Sequence, residues 1–296
     1  MKKIEQGRVC VHNFTIFTFE KVDNMATAPK YRIPRIALAS LAVVLGGVEW
    51  LCGEFPMWLF TAPMNLIVGA LWFALVWEAF RHRATSSVVQ YLLSPEATYI
   101  ALAVATLISV VLGLQSTPAS SSWLVVGGGL YILTIISLVI LRGWRNEKGV
   151  RWRFLTIHFG LWLALVSMLF GAPDKAILRA EVGKEPTREV VAEQGKHHYL
   201  DYELRLEKFE VEKAEDGSPQ MFRASVAVDD KVVDIEVNSP YSQRYGEDIY
   251  LVSYDADGCI LQIVREPWRA VTVVGIVLLL LGAFMLFMQG FGGAKR

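Results

Sequence analysis

Six stretches of this 296-residue chain are predominantly apolar over most or all of the length needed to cross a bilayer, and no other feature constrains its fold as tightly. In hydrocarbon every backbone N–H and C=O must find a partner within the protein, so such stretches can only be helices. They run approximately from Ile36 to Cys52, Pro63 to Phe80, Thr98 to Leu114, Trp123 to Leu141, Phe154 to Ala172 and Ala270 to Gln289. Composition agrees: 53% of residues are hydrophobic, only 20% are charged, and the mean hydropathy is +0.37. Formal net charge is zero, and no basic tract points to nucleic acid as a partner.

Lys and Arg sort the connections into two classes. The N-terminal tail carries Lys2, Lys3, Arg8, Lys21, Lys30, Arg32 and Arg35, and the second connection carries Arg81 and Arg83. The fourth carries Arg142, Arg145, Lys148, Arg151 and Arg153, and the chain ends Lys295-Arg296. The first connection, Gly53 to Ala62, and the third, Gln115 to Ser122, have neither Lys nor Arg. The positive-inside rule then predicts that both termini are cytoplasmic. Residues 1–35 read as a cytoplasmic tail, 36–172 as five membrane helices, 173–269 as an extracytoplasmic domain, 270–290 as a sixth helix and 291–296 as a cytoplasmic tail. No cleavable signal is evident, and Met25, ahead of a basic stretch, would itself make a good start of translation.

The long polar segment has a β texture. Tyr199 to Glu212 alternates apolar and polar residues, and further strands are predicted at Met221 to Val228, Val232 to Val237, Ile249 to Tyr254 and Cys259 to Val264. Turns are expected at Asp216-Gly217-Ser218-Pro219, Asp229-Asp230-Lys231, Asn238-Ser239-Pro240 and Asp255-Ala256-Asp257-Gly258. Five strands so spaced predict a small antiparallel sandwich or partial barrel. The stretch from Ala176 to Gln194 reads as helical or irregular and would lie along the membrane surface. The predicted fold class is thus a bundle of six transmembrane helices with one extracytoplasmic antiparallel β-domain between the fifth and sixth.

Ionisable groups inside a membrane span are costly, so each is a candidate for function. His158 is the sharpest. Phe154 and Trp162 stand one turn to either side, with Leu161 and Leu165 at i+3 and i+7, a bulky stripe around an imidazole. Gly160, Ala164, Ser167 and Gly171 form a separate small-residue face suited to close helix packing. A neutral imidazole between apolar side chains suits axial ligation of haem iron; the alternative is a hydrogen bond to a neighbouring helix. His82, between Arg81 and Arg83, reads as a solvated helix end. His197 and His198 are adjacent in an extended chain and point to opposite sides, a poor metal site. Glu49 and Glu78, each beside a tryptophan, are expected at the interface rather than on an ion path. Cys10, Cys52 and Cys259 form no redox pair. Neither a P-loop, nor G-x-S-x-G, H-E-x-x-H or C-x-x-C-H is present.

Several of these features occur together in an order that resembles the ResB (CcsB) family of system II cytochrome c biogenesis proteins. They are His158-Phe159-Gly160-Leu161-Trp162-Leu163-Ala164 leading to Gly171, Tyr202-Glu203-Leu204-Arg205-Leu206 with Phe209 and Glu212, and Asp216-Gly217-Ser218-Pro219. Val237-Asn238-Ser239-Pro240, Tyr250, Ser253-Tyr254-Asp255 and Val264-Arg265-Glu266-Pro267-Trp268 follow, so the resemblance spans roughly residues 154–290. It implies a membrane subunit that handles haem b as substrate and, with a CcsA (ResC) partner, assists its export and covalent attachment to apocytochrome c. By the same resemblance His158 ligates the iron, and the chain is at most the non-catalytic subunit of a haem lyase complex; the flanking aromatic rings of Phe154 and Trp162 suit the apolar faces of the porphyrin. The tryptophan-rich W-G-x-x-W-x-W-D motif of the partner is missing, and the first four spans resemble the family only as hydrophobic helices. The alternative is a non-catalytic membrane anchor or sensor whose outer β-domain binds a ligand or a protein.

Overall fold

The computed structural model describes residues 31–114, 121–144, 150–192, 195–213, 219–254 and 258–292. The predicted tails up to residue 30 and from 293, the turn residues 214–218 and 255–257, and Arg145 and Lys148 lie outside the described residues. Six helices are long and apolar enough to cross a membrane. They are α1 (Arg32–Cys52), α2 (Met64–Arg81), α4 (Pro95–Leu114), α5 (Trp123–Trp144), α6 (Trp152–Val166) and α7 (Arg269–Gly292). α6 continues through a π turn at Ser167–Gly171 and a 3-10 turn at Ala172–Asp174. A short helix unforeseen in the sequence, α3 (Ser87–Leu92), starts on Ser86, whose side chain accepts from the Val89 N–H at 3.4 Å. Large apolar side chains such as Val43, Leu75, Leu107 and Leu280 are left exposed on the helices, as a multi-pass membrane protein requires.

α5 is the hub: it packs against α1, α2, α4 and α6, and α6 packs along α7. The last pair is held by small residues. A Cβ on Gly160 would stand 2.7 Å from the Leu279 nitrogen and 2.8 Å from the Gly275 oxygen, so the two backbones touch and only glycine fits. The Thr272 hydroxyl lies 3.0 Å from the Ser167 hydroxyl, and Gly171 meets Trp268. The small-residue face read from the sequence is therefore the α6–α7 interface.

The polar segment forms one eight-stranded antiparallel sheet of order β5-β4-β3-β2-β1-β8-β7-β6. Its strands are β1 (Ala176–Val182), β2 (Thr187–Ala192), β3 (His197–Lys213), β4 (Pro219–Val228), β5 (Lys231–Glu236), β6 (Tyr241–Arg244), β7 (Glu247–Tyr254) and β8 (Cys259–Arg265). The five expected strands are present, but the helical or irregular reading of Ala176 to Gln194 is wrong. Up to Ala192 that stretch holds β1 and β2: β1 pairs along its whole length with β8, from Ala176 against Arg265 to Val182 against Cys259, and β2 lies between β1 and β3. The ladder joins the first and last strands and sets the end of α6 beside the start of α7. Nor are there two layers: one core includes Leu178, Tyr202, Leu204, Val226, Ile235, Ile249, Leu261 and Ile263. The sheet curls until edge strand β5 packs near β6 and β7, so the partial-barrel alternative describes it better than a sandwich.

Register shifts refine the straight alternation expected from the sequence, and two of them matter for the core. One between Leu206 and Lys208 and one between Leu251 and Ser253 shift the register by a residue, which turns side chains beyond them to the other face. Phe209 and Tyr254 are thereby brought together, with ring centroids 4.8 Å apart, and Phe222 lies 5.0 Å from Tyr254. Asp229, at φ 50°, opens the two-residue hairpin between β4 and β5, where a short polar side chain tolerates the left-handed region.

Candidate functional site

His158 sits two turns into α6, half-buried, on the side of the helix away from Gly160 and α7. Its ring packs on Phe154 at 3.9 Å between centroids and 30° between planes. Nδ1 lies 2.8 Å from the Phe154 carbonyl oxygen. A carbonyl oxygen only accepts, so Nδ1 is the donor, and in the neutral tautomer that this bond selects the lone pair falls on Nε2. Metal-binding histidines are commonly held this way, with one nitrogen donating to a carbonyl and the other turned to the metal. Phe154 is fixed in turn by the end of α5, where its ring atoms stand 2.7 Å from the position a Cβ would take on Gly143.

Trp162 is placed differently from Phe154. Its indole N–H donates to Ser137 Oγ of α5 at 2.8 Å, and its ring stacks on Phe159 at 5.6 Å and meets Phe73 of α2 edge-on at 6.3 Å. It packs against the buried cluster of Phe60, Val126, Leu133 and Phe170. Phe154 and His158 are thus in contact, while Trp162, one turn farther along, anchors α6 to α5 and α2.

The other ionisable candidates have polar partners of their own. Glu49 accepts from Ser122 Oγ at 2.8 Å, and Glu78 pairs with Arg81 and His82 at 3.0 Å each at an exposed helix end. His197 Nδ1 meets Glu189 at 2.6 Å. No group of three or more His, Cys, Asp or Glu side chains able to hold a metal comes together among the described residues. Cys52 is exposed, and Cys259 is buried in the sheet.

Three polar constellations escaped the sequence reading. Arg35 of α1 grips Glu96 of α4 with two bonds, of 2.6 and 2.7 Å. Asp174, at the end of α6, accepts from the Ala62 N–H at 2.7 Å, Asn65 Nδ2 at 2.7 Å and Trp268 Nε1 at 2.8 Å, and so ties three separate segments. Glu247 at the start of β7 is only 2% exposed and receives Tyr202 Oη at 2.6 Å, Arg265 Nε at 2.6 Å and Arg244 Nη2 at 2.8 Å. Burial pushes the Glu247 carboxyl up, but the bonds from Tyr202, Arg265 and Arg244 outweigh it and hold the group below the usual carboxylate range. Burial and this carboxylate push the Tyr202 hydroxyl well up. Next to them Arg269, the first residue of α7, bonds Asp248 at 2.6 Å, and Lys175 pairs with Glu266 at 2.8 Å. Gly246 makes this junction possible: at φ 81° it places its carbonyl 2.7 Å from the Glu266 N–H, where a Cβ would strike the Glu266 oxygen.

Residues 147–260 match the model of the ResB-like family. The matched segment begins just before α6 and includes His158, Asp174 and the strands β1 to β7, in accord with the resemblance drawn from the sequence. Comparison with curated proteins returns no match. Among solved structures, one titled Cytochrome c Heme Lyase CcmF is similar at a TM-score of 0.38 and 14% identity, over 84% of this chain and 43% of that one. The chain spans less than half the length of that protein, and a similarity this low carries no argument about shared function.

Proposed function

We propose that the chain is a membrane subunit of a system II cytochrome c synthase, holding haem b at His158 within the bilayer and assisting its export and attachment to apocytochrome c beside a CcsA (ResC)-like partner. The ResB-like match over residues 147–260 points to cytochrome c biogenesis. The observation that carries the assignment to His158 is the bond from Nδ1 to the Phe154 carbonyl, which leaves Nε2 as the free lone pair of a half-buried imidazole. Haem is the substrate here, and its iron would accept that lone pair. Phe154 keeps the imidazole in one orientation, and Trp162, bonded to Ser137, keeps α6 in register with α5.

In this reading the membrane is the bacterial cytoplasmic membrane, with both termini inside and the sheet outside. The segregation of Lys and Arg supports it, because Arg81, Arg83, Arg142, Arg151 and Arg153 all stand at one end of the bundle while the loop from Gly53 to Ala62 has none. Asp174, Lys175 and Arg269 join the sheet to the opposite end. The curled sheet, rigidly seated on α6 and α7, would then be a platform for the partner or for apocytochrome.

Full-length protein purified with and without His158→Ala tests the assignment. The variant should reach normal abundance but lose co-purified haem and cytochrome c maturation, with imidazole restoring part of both by filling the vacated position. Reduced abundance with unchanged haem per molecule would make His158 a packing residue and favour the anchor or sensor alternative.

A further inference from the structure

A second contact extends the His158 site toward the end of the helix. Arg151, the residue before α6, holds its guanidinium carbon 5.5 Å from the centroid of the Phe154 ring, and that same ring packs on His158. Arg151, Phe154 and His158 stand at i, i+3 and i+7, on one helix face. Cation, aromatic ring and imidazole thus form a ladder that climbs about 10.5 Å along the axis at 1.5 Å per residue. Arg151 is exposed, and among the described residues its guanidinium has no ion-pair partner, whereas Arg35, Arg188, Arg244 and Arg265 each face a carboxylate.

The chemistry of the cargo makes this arrangement informative. An iron porphyrin is an apolar disc with two carboxylates on one edge. If Nε2 of His158 binds its iron, those carboxylates must reach the polar boundary or meet a cation, because a bare carboxylate in hydrocarbon is very costly. The ladder spans a distance comparable with that from the iron to the end of a propionate. A guanidinium held against an aromatic face keeps its in-plane N–H groups available, and these fit a carboxylate in a two-pronged contact. We propose that Arg151 binds a propionate of the same tetrapyrrole whose iron His158 ligates, with Phe154 as the apolar wall between them. This rests on the haem-ligand reading of His158 and adds to it a specificity for the free carboxylate edge.

The test titrates the full-length protein in lipid nanodiscs with two probes, iron protoporphyrin IX and its dimethyl ester, which keeps the iron and the disc but lacks the charges. Arg151→Gln should weaken binding of the free acid about tenfold and leave the ester within about twofold of wild type, with the absorption bands of the bound iron unchanged. Arg153→Gln, two residues along and on another face of α6, should change neither. Equal weakening of both probes by Arg151→Gln, or of neither, overturns the propionate contact while leaving His158 as the ligand. Wild-type protein that binds neither probe, or His158→Ala protein with the wild-type affinity and spectrum, overturns the underlying reading and the proposal with it.

Discussion

Replacing Glu247 by Gln probes how the sheet is seated on the helices. The carboxylate is 2% exposed and meets Arg265 at 2.6 Å, Arg244 at 2.8 Å and the Tyr202 hydroxyl at 2.6 Å. An amide keeps the shape and one acceptor oxygen but removes the charge that both guanidinium groups face. Breaking a fully buried ion pair from one side costs about 3–5 kcal/mol. Arg244 is 52% exposed and Arg265 30% exposed, so water recovers part of the loss, and about 2–3 kcal/mol remains. Hydrogen exchange on the full chain in nanodiscs reads this locally: amides of β7 and β8 should exchange about 30- to 150-fold faster. Tyr202→Phe, which removes one donor, should cost only about 1 kcal/mol. The sign of the pH dependence follows from the same site. The folded carboxyl titrates below its unfolded value of about 4.3, so the stabilisation is complete above that pH and is lost as pH falls through the folded value. Arg244 on Asp201, Arg269 on Asp248 and Lys175 on Glu266 lower those carboxyls too, so acidification loosens the whole junction in one direction. Exchange in β7 and β8 that changes less than about threefold in Glu247→Gln would refute the reasoning.

Three further outcomes can be checked. Gly160→Leu places side-chain atoms where the α7 backbone now stands, so α6 and α7 must separate, costing about 1–3 kcal/mol or more; denaturant titration of the purified protein should show the loss, and Gly160→Leu as stable as wild type would refute the close crossing. Asp174→Ala leaves the Ala62 N–H and Trp268 Nε1 without an acceptor and Asn65 Nδ2 with the Phe170 carbonyl alone, at about 2–4 kcal/mol in all, and the loop from Gly53 to Ala62 should become a protease target; unchanged cleavage there would remove Asp174 as its anchor. A reporter active only outside the cytoplasm should work when fused near Asp216 and stay silent after Arg296, and the opposite pattern would invert the topology.

Much of this architecture is legible one segment at a time. Partition into a bilayer depends on a window of about 20 neighbouring residues, so the sequence marks all six spans to within a few positions, and the polarity of the segment from residue 173 to 269 marks the β-domain. Helical geometry likewise fixes, from spacing alone, that Gly160, Ala164 and Ser167 share one face of α6 while Phe154 and His158 share another. Other features exist only once distant segments meet. Asp174 finds its Ala62 donor 112 residues away and Glu247 finds Tyr202 45 residues away, and nothing local distinguishes either carboxylate from a solvated one. β1 reads as irregular because the strand that pairs along its whole length, β8, lies some eighty residues on, and β2 takes its place only between β1 and β3; strand pairing is a property of the pair. The imidazole was visible in the sequence as a candidate ligand; which nitrogen is free, that Phe154 fixes it and that Trp162 turns to Ser137 depend on the packing of α6 against itself and against α5, and only the tertiary structure decides them.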